Sequence, residues 1–160
     1  MRAAIGEELG DGLRKRATHV GSIVWPVDVA SALADLTEIS SQVEAAVVVD
    51  AEGAVLASTI AEEPGTERLA VAGLALLEAA TSRFGTSVRT VLQLEAALRE
   101  GSIFVAREGG LAIVARTSAA PSSGLVLYDL RTCLRAAAEA EQKKPKPRSR
   151  RAKKTETADA

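Results

Sequence analysis

The side chains best suited to covalent or metal chemistry are scarce in this chain of 160 residues. It has one histidine, His19, and one cysteine, Cys133. A structural zinc site takes four N or S ligands, so this supply all but excludes one. A catalytic thiol needs a base beside it. The single imidazole sits in a glycine-broken stretch with no acidic or nucleophilic neighbour at useful spacing. His19 therefore reads as solvated, and Cys133, beside the apolar stripe of a helix, as a buried inert thiol. Asp50 and Glu52 offer a carboxylate pair to a metal, but they stand before Gly53, where a turn wants Asp and Gly for backbone reasons alone. Glu62 and Glu63 precede Pro64 at a helix start, where carboxylates suit the helix dipole. The signatures GxxxxGK[ST], GxSxG and HExxH are absent, and no GxGxxG follows a strand. No catalytic residue, cofactor site or metal ligand is expected, and the protein is expected not to be an enzyme.

Charge is more informative. The formal net charge is −1, but it is unevenly spread: +1 over residues 1–25, −8 over 26–142 and +6 over 143–160. An acidic body carrying a basic arm is two electrostatic objects. The arm's cations are Lys143, Lys144, Lys146, Arg148, Arg150, Arg151, Lys153 and Lys154. No aromatic residue lies among them, so base stacking is not expected. Three readings stand: a solvated arm, a binder of nucleic-acid phosphates through counterion release, or a binder of anionic lipid or of the acidic body of a neighbouring molecule. No apolar run approaches the roughly 18 residues of a membrane span. The stretch after Arg16 is too broken for a signal peptide, and one cysteine allows no disulfide framework. A cytoplasmic protein is expected.

Three segments follow from composition. Residues 1–24 show no sustained period and carry four glycines, and are expected to be flexible. Residues 143–160 have no aliphatic side chain larger than Ala and are expected to be disordered. Residues 25–142 are long enough for an independent core.

Within that body, Val29, Leu33, Leu36 and Val43 fall on one helical stripe after Pro26. Ala45–Ser58 reads as a hairpin turning at Asp50-Ala51-Glu52-Gly53. Thr66–Phe84 is a second helix ending at Gly85, a candidate left-handed C-terminal glycine. Val88–Ala96 alternates as a strand with one polar face. Ser102–Ala115 is a second hairpin turning at Glu108-Gly109-Gly110. A third helix opens between Pro121 and Ser123, with the stripe Leu127, Leu130, Leu134 and Ala137. The order is α-β-β-α-β-β-β-α. Short loops force antiparallel pairing. Continuously apolar Val47–Val49 and Ile103–Val105 are strands covered on both faces. The expected class is α+β, one five-stranded antiparallel sheet with helices on both faces.

The second helix has two apolar faces. With Leu69 at 0°, Gly73, Leu76, Leu77 and Ala80 point one way, to the sheet. Val71 and Leu74 point the other, beside Glu78, Thr81 and Ser82, which suggests a second contact. The strand after it presents Arg89, Val91, Gln93 and Glu95 on one face and is a candidate sheet edge. An edge strand beside a two-faced helix makes a natural homodimer surface, because pairing removes the open edge. The expected interface residues are Val71, Leu74, Glu78, Arg89, Val91 and Gln93. Arg68 and Arg83, the only arginines on this helix, read as solvated. The inward positions are Val, Leu, Ile and Ala, which disfavours a polar small ligand.

Three stretches resemble the Roadblock/LC7 family. Ala45–Ser58 is similar to its first hairpin, an apolar strand, an Asp-x-x-Gly turn and a strand ending in Ala-Ser. Glu100–Ala115 is similar to its Gly-x-hydrophobic-Phe-Val strand and the next one. Ser123–Leu130, SGLVLYDL, is similar to the opening of its last helix. Ala45-Ala46 departs from the glycine that many members have before the first strand. The resemblance spans about Val27 to Ala138 and implies a Roadblock/profilin-like fold. It also implies a homodimer through the second helix and third strand, and a non-catalytic regulator or scaffold of a small Ras-like GTPase. Between Pro26 and Gln142 every basic residue is Arg, a bias of GC-rich coding that points to a bacterial member.

Overall fold

The computed structural model describes residues 27–87 and 89–143. The expected flexible segment 1–24, the arm beyond Lys143, His19 and Val88 lie outside the described residues.

Eight elements follow one another: α1 (Val27–Ile39), β1 (Val43–Val49), β2 (Val55–Ser58), α2 (Glu63–Phe84), β3 (Gln93–Leu98), β4 (Gly101–Glu108), β5 (Leu111–Thr117) and α3 (Ser123–Lys143). The strands form one sheet in the order β2-β1-β5-β4-β3. Every pairing is antiparallel. β5 lies at the centre between β1 and β4, and β1 and β5 are buried along most of their length, which is why Val47–Val49 reads as continuously apolar.

Two apolar layers sandwich the sheet. On one face α1 and α3 close over Val48, Phe104, Ile113 and Ala115 with Leu33, Leu36, Leu130 and Leu134. On the other, α2 alone covers Val47, Val49, Val105 and Val114 with Leu69, Ala70 and Leu77. α1 and α3 run antiparallel. Gln42, just past α1, accepts the Ser122 N–H at 2.6 Å at the start of α3, and at mid-helix the Cys133 thiol reaches the Ala32 carbonyl at 3.4 Å.

The turns form as backbone chemistry requires. Asp50 Oδ1 accepts the N–H groups of Glu52 (3.0 Å) and Ala54 (2.8 Å). Gly53 takes φ +86. Gly109 and Gly110 both take positive φ, +61 and +81, the type I′ geometry that matches strand twist.

Four expectations are corrected. Val43 opens β1 instead of extending the first helix, because the chain leaves α1 at Ser40. α2 starts three residues earlier than Thr66, with Pro64 in its first turn. Gly85 is extended, φ −70 and ψ 150, not left-handed. A side chain there would collide with the Thr81 carbonyl that accepts the Gly85 N–H, so close approach is what calls for glycine. The third strand is Gln93–Leu98 instead of Val88–Ala96. Thr86 and Arg89 bridge each other (2.8 and 3.1 Å), turning the chain before it can pair with β4.

Cys133 is buried in the α1–α3 seam. Burial first, and the Asp35 carboxylate second, push its thiol up from 9.0 to about 11. It is therefore a protonated, inert thiol at neutral pH. A disulfide reagent at pH 8 is expected to label it only after denaturant is added. The native state holds this proton more tightly than the unfolded chain. The thiol's contribution to stability is thus complete below about pH 9 and falls away as pH rises towards 11. A Cys133→Ala protein should lose less stability over that window in denaturant titrations.

Candidate association surface

α2 is 22 residues long and has only the sheet beneath it. Its buried side is Leu69, Ala70, Gly73 and Leu77. At Gly73 the helix comes so near the sheet that a Cβ would run into the Val114 side chain. The rest of the helix points outward. Val71 is 60% exposed and Leu76 37% exposed, and between them Ala72, Ala75 and Ala79 are exposed as well. These five residues form an apolar ridge, and its three alanines, beside Val71 and Leu76, let another backbone come close. Arg68, Glu78, Ser82 and Arg83 are exposed around it.

Among the described residues β3 is the sheet edge and pairs with β4 alone. No residue of β3 is fully buried. Leu94 and Ile103 pack partly against the α2-side core, and Leu98 is 59% exposed. The α2 side of the sheet is thus apolar beyond the reach of the helix, next to an open row of backbone groups.

The residues expected to form one interface are spread over this region. Val71 and Glu78 stand on the outer face of α2. Leu74 is half-buried against the α2-side core, close to the Gly53 turn. The phase of the helix is turned by about 50° from the expected one: Ala70 goes in, Leu76 comes out and Leu74 is at the flank. The strand residues do not share a face. Val91 packs under the α2 side. Gln93 opens to the α3 side, beside Tyr128 and Arg131. Glu95 accepts the Ser102 hydroxyl at 3.2 Å, and Arg89 is exposed at the bridge before the strand. Residues 90–92 lie outside any ladder, so the two-residue alternation does not carry through them. The alanines of α2 were missed from sequence. Their signal was the spacing Ala72, Ala75, Ala79, which returns small residues to one face.

Among the described residues, no three His, Cys, Asp or Glu side chains are grouped to hold a metal ion. No described helix is long and apolar enough to cross a membrane. Asp50 is committed to its turn. Of the expected phosphate-binding cations only Lys143 is described, exposed at the end of α3.

No protein-family model and no curated protein matches the sequence. Solved structures do. A Roadblock/LC7 domain from Streptomyces avermitilis superposes with a TM-score of 0.63 at 16% identity, covering 72% of this chain and 98% of that one. The chain has the Roadblock/LC7 fold. MglB of Myxococcus xanthus shares it, with a TM-score of 0.60 at 13% identity over 78% of this chain and 95% of that one. So does an MglB with a tetrameric arrangement, at 0.54 and 17% identity over 73% and 88%.

Proposed function

We propose that this protein is a non-catalytic homodimer that regulates or scaffolds a small Ras-like GTPase. The observation that carries the reading is the unpartnered apolar ridge of α2 beside the open edge of β3. A two-fold pairing would bury the ridge against itself and close the edge, joining two sheets into one. Self-association has support in the fold, since one MglB of this fold is in a tetrameric arrangement. The GTPase is implied by the family resemblance. If this protein speeds hydrolysis, it does so by holding GTPase residues in place, since phosphoryl transfer depends mainly on positioning and electrostatics.

The test is capture from lysate of the source cell by the full chain and by a chain ending at Gln142, with a GTP analogue or GDP added. Enrichment of a Ras-like GTPase by both proteins is the expected result. Retention of nucleic-acid-associated proteins alone, lost with the arm or with nuclease, would instead make the body a dimerisation platform for a basic phosphate-binding arm, the second reading that the +6 charge of residues 143–160 supports.

A further inference from the structure

Among the described residues the sheet has a second open edge, at β2. Along it lies a groove of about 1060 Å³, between α1 on one face of the sheet and the start of α2 on the other. Its walls are apolar for most of their length: Ala30, Leu33 and Ala34 from α1, Val55 and Ala57 from β2, and Ile60 beyond it. Ala30 and Ala34 are exposed. One end is acidic, with Glu44, Glu63 and Glu67; of these, Glu44 pairs with Arg116 at 3.4 Å.

The direction of the chain at this groove is fixed by the fold. Only residues 40–42 separate α1 from β1, so α1 ends where β1 begins. Because Val47 pairs with Ser58, β2 ends there too. The chain therefore enters α1 at the end where β2 begins. A segment doubling back from that point along the groove runs antiparallel to β2, with its earlier residues at the acidic end.

The sequence before α1 suits that path. Val20, Ile23, Val24 and Trp25 are apolar and β-favouring. A proline disfavours the helical conformation at the residue before it and suits a helix start, and Pro26 stands directly before α1. Six residues in strand conformation span about 20 Å, as do residues 55–60. Arg14, Lys15 and Arg16 come next, and on such a path would lie on the side of Glu63 and Glu67. On that path the apolar residues would face the apolar walls and the basic residues would lie on the side of the acidic end. The geometry points to residues 20–25 of the same chain as the occupant of this groove, lying antiparallel to β2 and sealing the edge that dimerisation at β3 would leave open.

Trp25 is the only tryptophan, so its fluorescence reports on this segment alone. In the full chain the emission is expected to be blue-shifted and several-fold less quenched by iodide than in urea, independently of protein concentration. Ala34→Glu, and separately Ala30→Glu, put a carboxylate into the groove from exposed helix positions and should shift the emission to the red while the far-UV dichroism of the body is kept. Emission already typical of exposed tryptophan in the unaltered chain would overturn the inference. Burial indifferent to both substitutions would also overturn it, by placing Trp25 elsewhere. Burial that grows with protein concentration would assign the groove to the segment of a second copy.

Discussion

Arginine at both Val71 and Ala75 is expected to yield a monomer, where the unaltered chain is expected to sediment as a dimer. Both positions are exposed on the outer face of α2. In the isolated subunit the two guanidinium groups stay in water, and such surface changes usually move stability by no more than about 0.5 kcal/mol. Across a two-fold axis each substitution appears twice, so four like charges would be pressed into an apolar contact. Juxtaposing like charges at an interface costs several kcal/mol, and about 4 kcal/mol is a thousandfold in Kd. Sedimentation equilibrium with a parallel thermal melt reads both quantities. A dimer that persists would show that the ridge is not the contact, and an unchanged melt is what assigns the loss of the dimer to the surface and not to the fold. Leu74→Arg is a poorer probe. Leu74 is half-buried against the core, so its replacement weakens the fold and the association together.

The contrast between Val71 and Leu74 shows why the fold was easier to read than the surface. Turn positions are strongly specified. Asp50 and Gly53, and the Gly109-Gly110 pair, mark their hairpins because few other residues supply those hydrogen bonds or positive φ angles. Two hairpins bounded by helices leave few ways to arrange the sheet. The phase of α2 has no such marker. Of its residues, Ala70, Ala72, Ala75, Ala79 and Ala80 are indifferent between core and surface, so the periodic signal rests on a few leucines, and Leu74 and Leu76 are divided between flank and exposure. β3 is hard to bound for a related reason. An edge strand pairs on one side only, so residues 90–92 lead into β3 without belonging to its ladder. The ridge of small residues is invisible to a search for large apolar side chains, although smallness is what makes it able to dock.

Gly73 links the core to that ridge and carries the second large prediction. It lies on the buried side of α2, over Val114, which is fully buried on a strand flanked by β1 and β4. An added Cβ would overlap the Val114 side chain. Two effects oppose each other in Gly73→Ala. Alanine is better than glycine inside a helix by about 1 kcal/mol, while overpacking a core costs about 1–3 kcal/mol. The β-branched Val114 has few rotamers to retreat into, and the strands on either side fix its backbone, so overpacking should win by about 1 kcal/mol. Gly124 provides the control. It is also helical, in the first turn of α3, and a Cβ there meets nothing within 4 Å. Gly124→Ala should therefore stabilise the protein by up to about 1 kcal/mol. The same methyl group gives opposite signs at two helical glycines. Gly73→Leu must lift α2 off the sheet, and is expected to cost about 3 kcal/mol or more and to abolish self-association with it, because the ridge and the β3 edge then no longer share one surface. Urea midpoints, with unchanged slope for the two alanine variants, measure the first effect, and sedimentation of Gly73→Leu at low temperature measures the second. Equal midpoint shifts for Gly73→Ala and Gly124→Ala would mean that α2 does not sit as close to Val114 as the fold places it.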